Sequence, residues 1–503
     1  MKNYDYIIIG TGIGGLTTGA LLTQAGKKIA IFEQHYLPGG YGHTFKRKGF
    51  SFCPGWHYVW NCGKNQPVFN VLKKLGIEKQ VRFEQLDPNG FDRIVSNGID
   101  YKIGNGFDRE CVRLAKIFPT YSKQLKIYFS ILGKIYKQIH GLSFWAVLKN
   151  PLRYYHIIRY RNWTLQKLFD HFDFPQKLQC ILAGQGSIFF LHPQKLSLLV
   201  HAGGVGSYNK GAYYPTQGFE TVVQNLLDKI KNQDNCTTHF STEVVKINLD
   251  YKRKKVISIE TEQGEIYKAD KFIFNGDPQL SMGLIGKKYF PKKFQKKLSY
   301  KYSTGALSVF IGIQGLDLKK YIGKENIFYY SDLDINSIYE QHFTKGIPEK
   351  LHFFCNAPSL RSDNLCPKGC HQLVAIAPCS YEYFADLKSK DKTLYDQAKE
   401  KYADKMIDVL EKEFIPNLKS HITLKIIGSP TTSEHFVFAP KGNCYSTPLD
   451  PANVNLNRIN YKSPFQNMFY IGAGSSLPGF ATIMHSSSKL YEKLTRDKVC
   501  QNK

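Results

Sequence analysis

The hydrophobic pattern of the first 33 residues predicts a strand, a helix and a second strand in close succession. The apolar run Ile7-Ile8-Ile9 is typical of a buried strand. Helical spacing covers about residues 16–24, and a second apolar run over residues 28–32 ends at Glu33. Two strands joined by a helix over so short a stretch form a parallel βαβ unit.

The segment between the first strand and the helix is rich in glycine and reads Gly10-Thr11-Gly12-Ile13-Gly14-Gly15, with GxGxxG spacing. Gly10 permits the tight turn, Gly12 lets a pyrophosphate approach the backbone, and Gly15 lets helix and strand pack closely. The helix N-terminus offers unpaired N–H groups to phosphates. Glu33 lies about 20 residues beyond the glycines, where an acid accepts ribose hydroxyls and favours FAD or NAD over NADP. The segment predicts a dinucleotide site; a glycine-rich turn without a ligand is the alternative.

Beyond this unit the pattern alternates between helical and strand-like stretches. Residues 105–200 are mostly helical in spacing, and the glycine-rich stretch 202–211 is expected to end that region. Further strands are predicted over residues 242–248, 256–261, 266–267, 271–274, 306–313 and 373–377, and helices around residues 222–230 and 392–413. A strand near residues 467–471 runs into glycines, and a final helix follows Gly479. The first and last segments therefore both resemble parts of one nucleotide-binding sheet.

The length of 503 residues predicts two or three domains rather than one core. No apolar run is long enough to span a bilayer, and the first residues lack the pattern of a signal peptide, so a cytoplasmic protein is expected. The 11 cysteines are scattered without a CxxC pair. Cys366, Cys370 and His371 lie close together, but no second pair completes a zinc site. Reduced thiols and no metal centre are expected.

The formal net charge of +27 is unevenly distributed along the chain. Residues 111–169 contain 11 Lys or Arg and no Asp or Glu, and aromatic and aliphatic residues interleave the cations. This composition predicts a surface that lies on anionic lipid, with the protein peripherally associated with a membrane. A helical region with a solvated basic face is the alternative. Nucleic acid is not expected, because no nucleic-acid-binding module is recognisable.

Several motifs together carry a resemblance to a known family. They follow Glu33-Gln34 and read Pro38-Gly39-Gly40-Tyr41-Gly42-His43-Thr44-Phe45, Gly49-Phe50-Ser51-Phe52-Cys53-Pro54-Gly55-Trp56-His57-Tyr58, Tyr214-Pro215-Thr216-Gln217-Gly218 and Tyr470-Ile471-Gly472-Ala473-Gly474. With the GxGxxG segment, this set resembles the phytoene desaturase, carotenoid isomerase and retinol saturase family of FAD-dependent oxidoreductases, and within it the retinol saturase branch.

The resemblance implies an α/β fold. Its core is a Rossmann-like FAD-binding domain of the extended-FAD type, similar to glutathione reductase and amine oxidase, with an inserted α+β substrate domain. The implied FAD-binding parts are residues 1–80, 206–290 and 431–503. Residues 81–205 form a largely helical substrate and membrane-docking region, and residues 291–430 form the sheet and helices of the substrate domain.

The resemblance also implies which residues hold the cofactor. Gly10, Gly12, Gly15 and Glu33 hold the ADP part, Gly39 and Gly40 lie on the flavin side, Val244 lies near the adenine, and Gly474 and the helix after Gly479 approach the flavin pyrimidine end. The full set of implied cofactor-binding residues is Gly10, Gly12, Gly14, Gly15, Glu33, Gln34, Gly39, Gly40, Val244, Gly472, Gly474 and Gly479. NAD(P)H is a candidate electron donor.

His57 and His43 are the candidate catalytic groups, because either could move a proton while the flavin moves a hydride; a structural, hydrogen-bonded histidine is the alternative for both. One departure from the family is Cys53-Pro54-Gly55, where relatives carry an acid two residues before the glycine. The expected function is saturation or desaturation of a carbon–carbon bond in a hydrophobic polyene such as retinol or a carotenoid. A flavin-dependent cis–trans isomerase and a non-catalytic prenyl-lipid-binding escort protein are the alternatives.

Overall fold

The structure is a computed structural model that describes residues 3–139, 141–142, 144–344, 346–454 and 458–499. Its strands are, in chain order, β1 (Asn3–Ile9), β2 (Ile29–Phe32), β3 (Phe45–Arg47), β4 (Phe50–Phe52), β5 (Val59–Trp60), β6 (Phe83–Gln85), β7 (Asp92–Ser96), β8 (Ile99–Ile103), β9 (Ala212–Pro215), β10 (Thr237–His239), β11 (Val244–Asp250), β12 (Lys255–Thr261), β13 (Ile266–Phe274), β14 (Gly305–Gln314), β15 (Asn326–Tyr330), β16 (His352–Asn356), β17 (Cys370–Cys379), β18 (Ile422–Gly428) and β19 (Met468–Tyr470). Its α-helices are α1 (Ile13–Gln24), α2 (Pro67–Leu75), α3 (Phe107–Ile117), α4 (Ser122–Ile139), α5 (Phe144–Lys149), α6 (Tyr155–Tyr160), α7 (Leu165–His171), α8 (Gln176–Ala183), α9 (Leu198–Tyr208), α10 (Phe219–Lys231), α11 (Ser281–Ile285), α12 (Lys292–Leu298), α13 (Ile335–His342), α14 (Tyr381–Lys390), α15 (Lys392–Glu413), α16 (Pro430–Val437) and α17 (Phe480–Thr495).

A seven-stranded sheet unites the beginning, the middle and the end of the chain. Its order is β10-β2-β1-β13-β12-β11, and β19 also pairs with β13. The strands β10, β2, β1, β13 and β19 run parallel. The first half of β13 pairs instead with antiparallel β12, which pairs with β11. The sequence predicted two short strands where β13 is one, because the exposed polar residues in its middle interrupt the apolar pattern.

The carboxyl ends of the central parallel strands lie level with one another. Ile9 of β1 is in register with Phe32 of β2 and with Phe274 of β13, and Phe274 is in register with Tyr470 of β19. Ligands of open parallel sheets bind just outside the carboxyl ends of the strands. The sheet therefore brings to one edge the residues that follow those ends, which are Gly10, Glu33, Asn275 and Ile471.

Helix α1 lies at the centre of the helical layer that covers this sheet. It packs against α10 and α17, and it is buried from Ile13 to Thr23 because apolar and small residues occupy almost every position. The hydroxyl of Ser487 on α17 donates a hydrogen bond to the Gly14 carbonyl oxygen at 3.2 Å. The last helix of the chain thereby holds the first one in place.

A second seven-stranded sheet has the order β18-β14-β17-β16-β15-β7-β8 and contains one parallel pair, β15 with β7. Successive side chains of a strand point to opposite faces. On β14, Val309 and Ile311 share a core with the long helix α15, whereas Phe310 belongs to the core that continues towards the first sheet. This sheet therefore separates α15 from the space between the two sheets.

Helices α3 to α9 form a largely helical region over residues 107–208. The expectation that residues 202–211 end this region was wrong in detail, because α9 continues through them to Tyr208. A Cβ atom at Gly204 would lie 2.6 Å from Phe189, and one at Gly206 would lie 2.5 Å from Tyr136. The glycines therefore serve close helix packing, which here outweighs their low helix propensity. Within the described residues, no helix combines the length and apolar character that crossing a bilayer requires.

Candidate cofactor and active site

The glycine-rich loop after β1 is packed against Asn275, which follows β13. Gly10 has a φ of +97°, a conformation that suits glycine. The Asn275 Nδ2 atom donates to the Gly10 carbonyl oxygen at 3.3 Å. A Cβ atom at Gly12 would lie 2.9 Å from that Nδ2 atom, one at Gly14 would lie 2.5 Å from Asn275 Oδ1, and one at Gly15 would collide with the Gly10 carbonyl. The loop thus needs glycine at each of these positions to lie flat on the strand ends.

The Glu33 carboxylate faces the same loop from the end of β2. Its Oε2 atom accepts hydrogen bonds from the backbone N–H of Thr11 at 2.8 Å and from the Thr11 hydroxyl at 2.7 Å. Its Oε1 atom accepts from the His35 N–H at 2.9 Å. Glu33 is half-buried. Gln34, the next residue, is exposed.

The second glycine motif contacts the first one directly. Gly39 has a φ of +113° and Gly40 a φ of +56°. The Gly39 N–H donates to the Thr11 carbonyl oxygen at 3.1 Å, and a Cβ atom at Gly40 would lie 3.3 Å from the Gly12 Cα atom. Two motifs that are separate in the sequence therefore form one continuous glycine-lined surface.

The C-terminal glycines complete this surface on the side of β19. Gly472 has a φ of +107°, and a Cβ atom there would lie 3.2 Å from Asn275 Oδ1. A Cβ atom at Gly474 would collide with Pro278, which lies shortly after β13. Gly479, with a φ of +107°, stands at the N-cap of α17 beside Trp60. Sequence reasoning did not identify Asn275 as a site residue; its place directly after an apolar strand, like that of Gly10, was the signal that it belongs to the site.

Val244 lies at the start of β11, where it is buried and paired with Thr261. The preceding segment is tied to the end of β2, because the Thr242 N–H donates to the Glu33 carbonyl oxygen at 2.9 Å. The Glu33 N–H in turn donates to the His239 carbonyl oxygen at 2.8 Å. The segment that leads into Val244 therefore lies beside Glu33. Gly472 lies on the opposite side of the glycine-rich loop, next to β13 and β19.

His43 is buried beside the second glycine motif. Its Nδ1 atom shares a hydrogen bond with the Gly40 carbonyl oxygen at 2.7 Å, and its ring centroid lies 5.6 Å from that of His35. Burial lowers the pKa of His43, so the ring is neutral at pH 7. Tyr41, in the same motif, donates its hydroxyl to the Asn443 carbonyl oxygen at 2.7 Å and so ties the motif to the C-terminal part of the chain.

His57 lines a small cavity between the two sheets. The cavity has a volume of about 20 Å³, enough for about one water molecule, and its lining includes Cys53, Trp56, Tyr214 and Gln372. Burial, with a smaller effect of nearby Arg361, lowers the pKa of His57 to about 3. The imidazole is therefore neutral throughout the physiological pH range.

The position where relatives carry an acid is occupied by a thiol that stays protonated. Burial raises the pKa of Cys53 to about 11, so it does not replace a carboxylate. The last residue of the same motif, Tyr58, does contact a buried carboxyl group. Its hydroxyl donates to Asp92 Oδ2 at 3.0 Å. Gln185 and Asn326 donate to the same carboxyl at 2.6 Å and 2.7 Å. Burial raises the pKa of Asp92 to about 6.

Arg361 connects this carboxyl group to the backbone of His57. Its guanidinium donates to Asn326 Oδ1 at 2.8 Å and to the His57 carbonyl oxygen at 3.3 Å. Sequence reasoning missed Asp92 and Arg361, which are far apart in the chain. The signal in the sequence was an acidic residue, Asp92, shortly before the apolar residues Ile94 and Val95.

Arg458 is a second buried cation, behind the C-terminal glycines. Its guanidinium donates to the carbonyl oxygens of Ser476, at 2.6 Å, and Ala473, and to the Thr447 hydroxyl. Burial lowers the pKa of Arg458 to about 10, which leaves it protonated at pH 7. Among the residues that the structure describes, no carboxylate lies within ion-pair distance of it. The segment 472–476 is thus held from behind by a positive charge without an ion-pair partner.

These observations fit an extended dinucleotide. The glycine-lined surface provides close approach to backbone, α1 begins at an N-cap glycine that supplies no capping side chain, and a carboxylate stands at the end of β2. Phosphates bind where backbone N–H groups of a helix N-terminus are open. Within the described ranges, no three His, Cys, Asp or Glu side chains are arranged to hold a metal ion.

Comparisons with known proteins agree with this geometry. A family model described as an NAD(P)-binding Rossmann-like domain matches residues 8–75. The chain is 26% identical to an all-trans-retinol 13,14-reductase of Danio rerio over 95% of its own length and 84% of that protein. It is 24% identical to the chloroplastic prolycopene isomerase of Arabidopsis thaliana over 95% of its own length and 80% of that protein. A solved structure of wild-type putrescine oxidase bound to putrescine has a TM-score of 0.65 at 12% identity, over 99% of this chain and 100% of that one.

The fold and the glycine-lined edge define a Rossmann-like dinucleotide-binding architecture, which the chain shares with putrescine oxidase. Within that class, the chain is similar over about 95% of its length to all-trans-retinol 13,14-reductases and prolycopene isomerases, in agreement with the family that its motifs indicate. The predictions of fold class and of family are confirmed.

Proposed function

We propose that this protein is an FAD-dependent oxidoreductase that acts on a carbon–carbon bond of a hydrophobic polyene of the retinoid or carotenoid type. One observation carries the proposal. Glycine motifs from three distant segments meet at one sheet edge, in a chain that aligns over 95% of its length with an all-trans-retinol 13,14-reductase.

FAD, when bound, supplies hydride exchange at its flavin N5 atom. The N-terminus of α1 and the backbone at Gly12 bind the pyrophosphate in this proposal, and Glu33 accepts the ribose hydroxyls. The segment that leads to Val244 borders the adenine side.

The other half of the proposed site is formed by Gly39, Gly40 and the C-terminal glycines. Gly472 and Gly474 let the backbone approach the flavin, and α17 begins directly after Gly479. The positive end of a helix dipole stabilises negative charge near its first turn. The N-terminus of α17 and the charge of Arg458 thus both favour an electron-rich ligand at this end.

His57 is the preferred proton-handling group and His43 the second. The low pKa of about 3 keeps His57 neutral and makes it a weak base, so in this proposal it relays a proton, accepting at one ring nitrogen while it releases from the other. His57 also lines the cavity between the sheets, whereas His43 is bonded into the second glycine motif. The direction of the reaction follows from the redox state in which the enzyme meets its substrate.

The test uses the FAD-loaded protein under anaerobic conditions. The flavin is reduced chemically, all-trans-retinol or a carotenoid is added in liposomes, and the visible spectrum is followed while products are separated by chromatography. We expect the oxidised flavin band to return as polyene absorbance falls. Free reduced FAD with the same liposomes is the background control. A flavin that stays reduced beside unchanged polyene would refute the assignment, and a protein that takes up no FAD would favour a lipid-binding escort.

A cis–trans isomerase is the second candidate, favoured by the match to prolycopene isomerase over 95% of the chain. In the same experiment it would shift the polyene spectrum while the flavin stays reduced.

NAD(P)H is the proposed electron donor, and bleaching of the flavin band by NADH or NADPH tests it. Because polyenes partition into lipid, we also propose that the protein associates peripherally with an anionic membrane.

A further inference from the structure

The most unusual surface of the molecule is a short segment of the helical region. It comprises residues 144–161, which contain α5, a turn of 3-10 helix over Leu152–Tyr154, and α6, and we call it the docking segment. Five large apolar side chains of this segment are exposed: Trp145, Leu148, Leu152, Tyr155 and Ile158. Trp145 has 69% and Leu152 84% of its surface accessible. Isolated exposed apolar residues are ordinary, but a run of this kind marks an interaction surface.

The exposed apolar residues recur at intervals of three and four, and they lie on all three elements of the segment: Trp145 and Leu148 on α5, Leu152 on the 3-10 turn, and Tyr155 and Ile158 on α6. The opposite side of the segment is formed by Tyr154, Ile157 and Tyr160, which are buried. α6 packs with these residues against α4 and α9. The segment is thus anchored on one side by its own core contacts and presents a second, unburied apolar face on the other.

The structure divides the aromatic residues of the basic stretch 111–169 into buried and exposed ones. Several of them belong to the core of the helical region: Tyr128, Phe129, Tyr136, Tyr154 and Tyr160. Among the residues of this stretch that the structure describes, the docking segment is where exposed aromatic and aliphatic side chains follow one another closely. The interaction surface is therefore much smaller than the stretch 111–169 that composition singled out.

The charges around the exposed face all have one sign. Lys149, Arg153, Arg159 and Arg161 are exposed within the segment, and the nearby Lys134 and Lys137 are exposed on α4. In the part of the chain that the structure describes, none of these six cations is in an ion pair. Their charge is therefore available to an external anion.

We infer that the docking segment lies in the headgroup layer of an anionic lipid bilayer, with Trp145, Leu148 and Leu152 inserted and the flanking cations on the lipid headgroups. Tryptophan concentrates at membrane interfaces, and an amphipathic segment of this composition is buried about 5–10 Å into the headgroup boundary. A nucleic acid would use the cations but would have no use for exposed Leu148 and Leu152, since it is bound by stacking and by phosphate contacts. This inference specifies the membrane partner of the proposed function but does not depend on the proposed chemistry.

The test measures how the full-length protein distributes between buffer and sedimenting vesicles. One set of vesicles is pure phosphatidylcholine, and the other contains about 30% of the anionic lipid phosphatidylserine. A charge variant carries Lys149→Glu, Arg153→Glu, Arg159→Glu and Arg161→Glu. An apolar variant carries Trp145→Ser, Leu148→Ser and Leu152→Ser. The matched control reverses the charge of four exposed lysines around α12, outside the docking segment: Lys287→Glu, Lys288→Glu, Lys292→Glu and Lys293→Glu.

We expect wild type to bind the anionic vesicles about tenfold or more tightly than the neutral ones, and both segment variants to lose about tenfold or more of that affinity. The control variant should bind nearly as wild type does. Equal losses in the control and charge variants would mean that only net charge matters, and an unchanged apolar variant would exclude insertion. Both results overturn the inference.

Further measurements distinguish a lipid surface from other partners of this face. They also distinguish a failure of membrane docking from a failure of the cofactor proposal. A dimer that the apolar variant converts to monomer, with vesicle binding unchanged, would assign the face to a second copy of this chain. Binding to duplex DNA without binding to vesicles would assign it to nucleic acid. Flavin content and thermal unfolding are recorded for every variant, so a failure of the cofactor proposal is distinguished from a failure of docking.

Discussion

The amide group of Asn275 donates a hydrogen bond to the carbonyl oxygen of Gly10, 265 residues away in the sequence, at 3.3 Å. The same side chain lies within contact distance of the positions where Gly12, Gly14 and Gly472 would carry a Cβ atom. It therefore sets the spacing between the loops that follow β1, β13 and β19. A polar side chain from the middle of the chain thus determines the shape of a surface whose glycines come from both of its ends.

Replacing Asn275 by Asp should weaken flavin retention without unfolding the protein. The substitution keeps the size of the side chain but removes the donor to Gly10 and adds a negative charge beside the loop proposed to bind phosphates. We expect the dissociation constant for FAD to rise about tenfold or more, which corresponds to about 1.4 kcal/mol. Titration of the apoprotein with FAD, followed by fluorescence quenching, measures it. Asn248→Asp on the peripheral strand β11 is the matched control, and an equal loss in that variant would contradict the prediction.

Replacing Glu33 by Gln should also weaken FAD binding, through a different contact. The carboxylate organises Thr11 through two hydrogen bonds and is the proposed acceptor for ribose hydroxyls. A hydrogen bond to a charged group contributes about 1.5–3 kcal/mol, so a loss of about tenfold or more in FAD affinity is expected. Thr11→Val tests the neighbour alone and should lose less. If Thr11→Val were as damaging as Glu33→Gln, Glu33 would serve the loop and not the ligand.

The stability of the protein should fall as the pH is lowered from 7 to 5. Burial lowers the pKa values of four histidines far below the ordinary value: those of His57, His201 and His352 to about 3 and that of His342 to about 4. Between pH 5 and pH 6.5 the unfolded chain binds protons that the folded chain does not, so the free energy of unfolding rises with pH. Each fully buried histidine contributes about 2 kcal/mol over this window. Urea unfolding at a series of pH values measures the slope.

His201→Gln should reduce that slope by about 2 kcal/mol between pH 7 and 5, since it removes one such histidine and leaves a polar partner for Tyr128. The exposed residue His435 provides the control variant His435→Gln, which should leave the slope unchanged.

Asp92 acts in the opposite direction: its raised pKa of about 6 makes the folded chain bind more protons between pH 4 and 6, and stability from this group falls as the pH rises. A stability maximum below pH 5 would show that the carboxyl outweighs the histidines.

Arg458 should raise the reduction potential of the bound flavin. Its charge is buried and bonded to the carbonyl oxygens of Ala473 and Ser476, in the segment proposed to approach the flavin. Arg458→Lys keeps the charge and should change the potential little, whereas Arg458→Gln removes it and should make the flavin harder to reduce. Spectroelectrochemical titration measures both variants. Equal potentials in wild type and Arg458→Gln would limit the role of Arg458 to holding the backbone.

The parts of the fold that follow from local pattern were predicted well from the sequence. The helix over residues 392–413 coincides with α15, and β1, the glycine loop and α1 occur where the first 33 residues place them. The expected juxtaposition of the first and last segments is found in the parallel pairs of β13 with β1 and β19. These successes share a cause, because each depends on periodicity or on a turn that only glycine permits.

The sequence failed where a residue's role depends on distant neighbours. Gly204 and Gly206 break helices in isolation, but Phe189 and Tyr136 pack so closely on them that α9 requires them. Asn275, Asp92, Arg361 and Arg458 carry no local motif that marks them, since their partners come from other strands and loops. The proton-transfer roles of His57 and His43 stay predictions.

The pairing of β13 with β19 has a consequence for synthesis of the chain. About 190 residues must be synthesised between residue 274, the end of β13, and β19. During that time the edge of β13 that pairs with β19 has no neighbouring strand. At roughly 5–20 residues per second the interval is roughly 10–40 s. Exposed apolar strand edges promote aggregation. Production of the protein should therefore depend on chaperones that cover this edge until β19 is made.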